Sequence, residues 1–348
     1  MKMKRVIVGT ALGLPVLLLA GAAFIVVSSY VEHRQLVEQE KEAYPAPGTL
    51  VAAGTNGGAL HVFAEGPTGT PSSNTGTPAG ATGSAAQGNA RSADSNPTLV
   101  FLSGLGTSSP YYDFKVLFEQ FSPEYRVAVV ERAGYGWSDI TSSPRDLATV
   151  LQETRTALQG AGETPPYVLF PHSLAGLEAL YWAHHYPEEL HAVIGLDPLV
   201  PEYHQQSSNR ASLSRGVTLL ARTGLMRSGP DIFASNFPAM LKGHLTQEDA
   251  QIAETIFLRR THTRNMWAEV AALPENSQLV LDQGLPSLPF HVFISDHRGD
   301  VWKSSLIEFA EASNSEYYLL DAEHYIHLDK PEFIAETSRK LIESAGPN

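Results

Sequence analysis

Three observations predict an α/β fold with a mostly parallel sheet covered by helices on both faces. Short apolar, β-rich runs recur at 98–102, 126–130, 167–170, 192–196, 290–294 and 317–320. Longer helical patterns lie between them at 145–159, 174–185, 304–312 and 331–344. Hydrophobic residues make up 43% of the 348-residue chain and charged residues 18%, enough apolar material for a real core.

The first element is an apolar segment. Lys2, Lys4 and Arg5 precede an uncharged, mostly apolar run from Val6 to Val27. About 20 helical residues cross a hydrocarbon core, so the run is long enough to span. Positive charge before it, with Glu32, Glu38, Glu40 and Glu42 after it, keeps the N-terminus cytoplasmic and puts the remainder outside. A single-pass membrane anchor is therefore expected over residues 1–30, with a stalk over 31–48. The competing reading is a cleaved secretory signal, because Ala20-Gly21-Ala22 offers small residues at peptidase spacing, and the domain would then be secreted. The apolar run continues through Phe24-Ile25-Val26-Val27, which favours the anchor.

The next elements are two strands, 49–53 and 59–64, joined by the turn Gly54-Thr55-Asn56-Gly57-Gly58 as a hairpin. Residues 66–97 are almost wholly Gly, Ser, Thr, Pro, Ala and Asn, too poor in apolar side chains to offset the entropy of ordering, and read as a flexible insertion. Between 201 and 286 the strand rhythm stops, and a helical stretch is expected to sit as a cap over the C-terminal edge of the sheet. The whole of 49–348 reads as one domain with these two additions.

Composition narrows the function. A net charge of -13 with no basic cluster beyond the first five residues argues against nucleic acid as a partner. The absence of cysteine removes disulfides, thiolate catalysis and cysteine-based metal sites. His184-His185 is the only adjacent histidine pair, and helical neighbours point about 100° apart, so no metal site is expected. The pairs Gly104, Gly106 and Gly134, Gly136 lack a dinucleotide fingerprint or a phosphate-binding lysine, and no cofactor is expected.

The run Tyr167-Val168-Leu169-Phe170-Pro171-His172-Ser173-Leu174-Ala175-Gly176 is a buried strand, a serine and a helix start, the context in which a serine oxygen is exposed on a strained turn. Pro171 and Ala175 stand where the strict motif has glycine. Leu102-Ser103-Gly104-Leu105-Gly106 follows an earlier strand, Glu131-Arg132-Ala133-Gly134-Tyr135-Gly136-Trp137-Ser138 follows the next, and Glu323-His324-Tyr325-Ile326-His327-Leu328-Asp329-Lys330-Pro331 leads into the last helix. In this order the four segments resemble the α/β-hydrolase superfamily from about Thr49 to the C-terminus, the insertion excepted. Ser103, Pro171 and Glu323 depart from its usual residues.

The resemblance implies Ser173 as nucleophile, His324 as its base, and the backbone N–H groups of Leu105 and Leu174 as an oxyanion hole. Asp296, after the 290–294 strand, is the expected orienting acid, with Asp300 and Asp197 as alternatives. His172 is expected to pack against the serine turn and donate a hydrogen bond, and His327 to be structural. Serine at this turn argues against the dehalogenase and epoxide-hydrolase branches, which use aspartate there. The expected substrate is a small acyl compound, an ester or a relative, and no obligate protein partner is expected. A proline-iminopeptidase-like aminopeptidase, which would need an acidic pocket for the amine, and a catalytically silent binding module are the alternatives.

Overall fold

A computed structural model describes residues 3–54, 57–68, 96–206, 212–229 and 231–346, with side chains from Pro15 onward. Eight strands form one sheet in the order β1-β2-β4-β3-β5-β6-β7-β8. They are β1 Thr49–Ala52, β2 Ala59–Glu65, β3 Thr98–Leu102, β4 Val127–Glu131, β5 Tyr167–Pro171, β6 Leu190–Leu196, β7 Phe290–Ser295 and β8 Tyr317–Leu320. β1 and β2 form the expected antiparallel hairpin and β2 pairs antiparallel with β4; every other pairing is parallel.

Alternation along the strands builds two cores. Val100, Leu102, Val130, Leu169, Val193 and Ile294 face one side, while Leu99, Phe101, Val129, Phe170, Ile194 and Phe293 face the other. The first side is covered by helices α3 Leu147–Gly160, α4 Ala175–His185 and α10 Asp300–Ala312. The second is covered by α2 Pro110–Phe121, the short α11 Ile326–Asp329 and α12 Pro331–Ser344. With both faces buried, the strands carry continuous apolar runs, as parallel strands do.

Among the described residues five α-helices lie between β6 and β7, where the cap was expected: α5 Pro201–Gln206, α6 Arg215–Thr223, α7 Pro238–Leu241, α8 Gln247–Arg260 and α9 Arg264–Gln283. Ala221 of α6, Ile256 and Phe257 of α8, and Met226, Phe233 and Phe237 from the segment between α6 and α7 form a third apolar cluster, closed below by Tyr112 and Leu328 of the sheet domain.

The expected anchor and most of the expected stalk lie in a single helix, α1 Met3–Ala43, whose N-terminal part is long and apolar enough to cross a membrane. Its stalk half docks on the cap. Arg227 donates to both carboxylate oxygens of Glu40 at 2.7 and 2.9 Å and to His33 at 2.9 Å, and Trp137 Nε1 donates to the Tyr44 carbonyl at 3.0 Å. Of the expected insertion, 69–95 lies outside the described residues.

Candidate active site

β5 ends at Pro171, and two residues later Ser173 adopts a left-handed φ of 52° before α4 begins. A non-glycine residue in this region costs of order 1–3 kcal/mol and persists only where its surroundings fix it. They do: the Ser173 carbonyl accepts from Leu199 N at 2.7 Å and Gly176 N at 2.9 Å. A Cβ on Gly176 would lie 2.3 Å from the Leu199 carbonyl oxygen, so glycine is required where helix and loop meet. Pro171 is tolerated because the next residue supplies the missing donor, His172 N bonding Leu102 O at 2.9 Å.

Ser173, His324, Leu105 and Leu174 line one cavity of about 380 Å³ with Tyr203, Leu213, Leu273, Arg298, Trp302 and Tyr325. Gly104 packs against the serine, where a Cβ would stand 2.8 Å from Ser173 Cβ. Among the described residues the N–H groups of Leu105 and Leu174 donate to no backbone acceptor, which leaves two donors beside Ser173.

The carboxylate on His324 is that of Asp197, and the expectation of Asp296 is corrected. His324 Nδ1 lies 2.6 Å from Asp197 Oδ2, while Asp197 Oδ1 accepts from Ser295 N at 3.0 Å and Trp302 Nε1 at 2.8 Å. Asp197 has no exposed surface and the His324 side chain is 17% exposed, so the pair opens to the cavity only through the imidazole. Asp296 instead faces solvent and accepts from Lys303 Nζ at 2.6 Å; Asp300 is also fully exposed. The reason is strand alternation. Ser295, the last residue of β7, points inward and donates its N–H to Asp197, so the next side chain points out.

Burial lowers the His324 pKa well below its usual value, and the Arg298 charge acts in the same direction. Burial pushes the Asp197 carboxyl up to about 7, against the Ser295 and Trp302 hydrogen bonds and Arg298, which favour its ionised form. With those donors aimed at the carboxylate, we take the pair as ionised Asp197 and neutral His324, whose Nε2 is left free to accept a proton. Arg298, which sequence reasoning missed, stacks over the Trp302 ring at 4.3 Å. It lowers the pKa of both partners, so whichever takes up the inactivating proton, Arg298→Gln is expected to move the acid limb of a kcat/KM–pH profile upward by about one pH unit.

His172 sits with its ring 4.5 Å from that of His324 and its Nε2 3.1 Å from the His324 carbonyl, which fixes the histidine loop. His327 is fully buried between Phe114 and His172 and lines no part of the cavity. Arg132 braces the loop that carries Leu105 from behind, its Nη1 donating to the Ser103 carbonyl at 2.6 Å and its Nε to Glu269 of α9 at 3.0 Å. Glu131 accepts from the N–H groups of Tyr111 and Trp137, and a Cβ on Gly136 would fall inside its carboxylate, which explains that glycine. A neighbouring cavity of about 270 Å³, lined by Gly106, Thr107, Asp113, Phe237 and Tyr325, holds a buried carboxyl: Asp113 Oδ1 has no partner among the described residues, and burial raises its pKa to about 8.

Residues 97–215 match the sequence model described as alpha/beta hydrolase fold. Over 261 residues the chain is 33% identical to the uncharacterized protein YbdG of Bacillus subtilis, covering 70% of this chain and 79% of that protein. Solved structures with a similar fold include an epoxide hydrolase from Bacillus megaterium, with TM-score 0.59, 15% identity, and 85% of this chain and 100% of that one covered. An enol-lactonase from Burkholderia xenovorans superposes with TM-score 0.54 and 16% identity, covering 83% of this chain and 98% of that one.

Proposed function

Because this chain belongs to the α/β hydrolase fold family, we propose that it is a serine hydrolase cleaving an ester or related acyl compound through an acyl-Ser173 intermediate at the outer face of a membrane. The observation that carries the reading is the Asp197–His324 pair opening on the same cavity as a serine held at positive φ. His324 Nε2 takes the Ser173 proton as Oγ attacks the substrate carbonyl carbon, and Asp197 stabilises the imidazolium. Leu105 and Leu174 N–H hold the oxyanion. The imidazolium then gives its proton to the leaving alcohol as the carbon–oxygen bond breaks. Water attacks the acyl-serine by the same route, its proton passing through His324 to Ser173 as the acid leaves.

Serine rather than aspartate at the turn separates this chemistry from that of the epoxide hydrolases whose fold it shares. The anchor reading is supported by α1, where Val16, Leu17, Leu19 and Phe24 are 63–72% exposed, a surface suited to lipid, and by the docking of the same helix on the cap. An aminoacyl substrate is the second reading, favoured by Asp113 in the neighbouring cavity, a carboxyl that burial holds protonated near neutral pH and that a substrate ammonium would ionise by supplying the counter-charge.

The test is a fluorophosphonate probe on the full-length protein, which should label the wild type and not Ser173→Ala. A parallel panel sets p-nitrophenyl esters against aminoacyl p-nitroanilides, and turnover of the anilides alone would select the second reading. Labelling that survives in Ser173→Ala, or a folded wild type that neither labels nor turns over either series, would reject the serine hydrolase. Release of the protein from membranes by alkaline carbonate would reject the anchor.

A further inference from the structure

A cavity of about 470 Å³, larger than the one that holds Ser173, lies elsewhere in the described structure. It lies where α1 meets the cap, between Tyr30, His33, Arg34 and Lys41 on one side and the end of α6 and the α8–α9 junction on the other. Six cationic side chains line it, Arg34, Lys41, Arg222, Arg259, Arg260 and Arg264, against two carboxylates, Glu38 and Asp139. In a chain of net charge -13 this is a local reversal of sign.

The carboxylates in and around the cavity are already engaged. Glu38 pairs with Lys41 at 3.0 Å, Asp139 accepts from Ala59 N at 2.9 Å, Glu40 is held by both terminal nitrogens of Arg227, and Glu131 is occupied by His61 and two backbone N–H groups. Arg34, Arg222, Arg259 and Arg264 form no ion pair among the described residues. The Arg259 Nε is buried with no partner, and Arg260, 8% exposed, spends its Nε on the Gly136 carbonyl at 2.6 Å. Burial lowers the pKa of both arginines, so a bound anion would relieve a cost already present.

The height of the cavity along α1 matters. Tyr30 and Arg34 come three and seven residues after Val27, where the apolar run ends, which at 1.5 Å per helical residue is about 5 and 10 Å further on. The headgroup layer extends about 5–8 Å outside the hydrocarbon, so Tyr30 stands within it and Arg34 at its outer margin. Gly224, closing α6, packs on Ser29 and His33, which fixes the cap at the same level.

We infer that this cavity binds a phosphate-bearing anion, with the Arg222, Arg259 and Arg264 guanidiniums as its donors. Guanidinium suits the role because its planar fork matches phosphate oxygens in pairs. A lipid headgroup and a soluble phosphate ester share this chemistry. The lipid source rests on the anchor reading; the phosphate site does not.

The experiment is thermal unfolding of the full-length protein in an uncharged detergent. One arm adds phosphatidylglycerol or phosphatidylcholine in mixed micelles, and the other adds inorganic phosphate or glycerol phosphate at constant ionic strength. Wild type should gain about 5 °C in Tm, saturably, from the anionic ligand. The double variant Arg222→Gln/Arg264→Gln changes only exposed rim side chains, keeps the fold, and should lose most of that gain. Arg339→Gln, on α12 and paired with Glu124, should keep it. A gain from phosphatidylglycerol and not phosphatidylcholine assigns a lipid, while an equal gain from glycerol phosphate alone assigns a soluble ester. No saturable gain from any phosphate compound, or an equal gain in the rim variant, overturns the site, and fluorophosphonate labelling of Ser173 would be unaffected by that failure.

Discussion

Asp197→Asn is expected to lower kcat for ester hydrolysis about 10⁴-fold with the fold intact, whereas Asp296→Asn should leave it within about twofold. The first change replaces an acceptor facing His324 Nδ1 with an amide. Asp197 Oδ1 already receives two N–H donors, from Ser295 and Trp302, so the asparagine carbonyl oxygen is held there and its NH₂ is turned toward the imidazole. The ring must then accept at Nδ1 and carry its proton on Nε2, the tautomer that cannot deprotonate Ser173. Stopped-flow or steady-state kinetics on both variants, with circular dichroism to establish folding, checks the result. Equal loss in Asp296→Asn, or near-wild-type rates in Asp197→Asn, would return the acid to the loop after β7.

The same pair of residues shows how far the sequence could be read. The loops after β6 and β7 end at the same edge of the sheet on neighbouring strands, so either can bring an acid to His324, and chain order permits both. What decides between them is the inward turn of Ser295, a single step of alternation at a strand end that no residue type announces. That Ser173 and His324 would meet at one cavity was legible because each lies in a run whose strand, turn and helix context is written in consecutive residues. Arg298 and Trp302 were not, since they reach the site only when α10 folds back on the sheet.

Two elements were passed over for opposite reasons. Helix α2 carries proline at its first position and buried side chains at Phe114, Leu117, Phe118 and Phe121, a helical period that was present and unread. The continuation of α1 to Ala43 follows no apolar period of its own; its polar half is held by the Arg227–Glu40 pair, nearly two hundred residues apart in the chain. The cap core of Phe233, Phe237 and Phe257 is likewise a tertiary fact, built from aromatic side chains that in sequence could equally have lined a pocket.

Arg132→Met is expected to cost about 3–5 kcal/mol of stability, because it leaves the Glu269 carboxylate buried without its counter-charge. Glu269 is 4% exposed, and its other hydrogen bond comes from the Tyr135 hydroxyl. The change should also lower kcat about 100-fold in whatever protein remains folded, since among the described residues Arg132 is what hydrogen-bonds the Ser103 and Gly104 carbonyls and so holds the loop that presents Leu105 N–H. The double variant Arg132→Met/Glu269→Leu separates the two effects. Removing both charges at once should recover part of the stability, measured by denaturant midpoint at constant m, because Glu269 is gone and only Glu178, 3.9 Å from Arg132 and hydrogen-bonded by Thr154, is left without that counter-charge. The kinetic defect should persist, because neither apolar side chain can donate to the loop carbonyls. If the double variant regains rate together with stability, Arg132 acts on the site only through folding, and the loop is positioned by the packing of Gly104 against Ser173 instead.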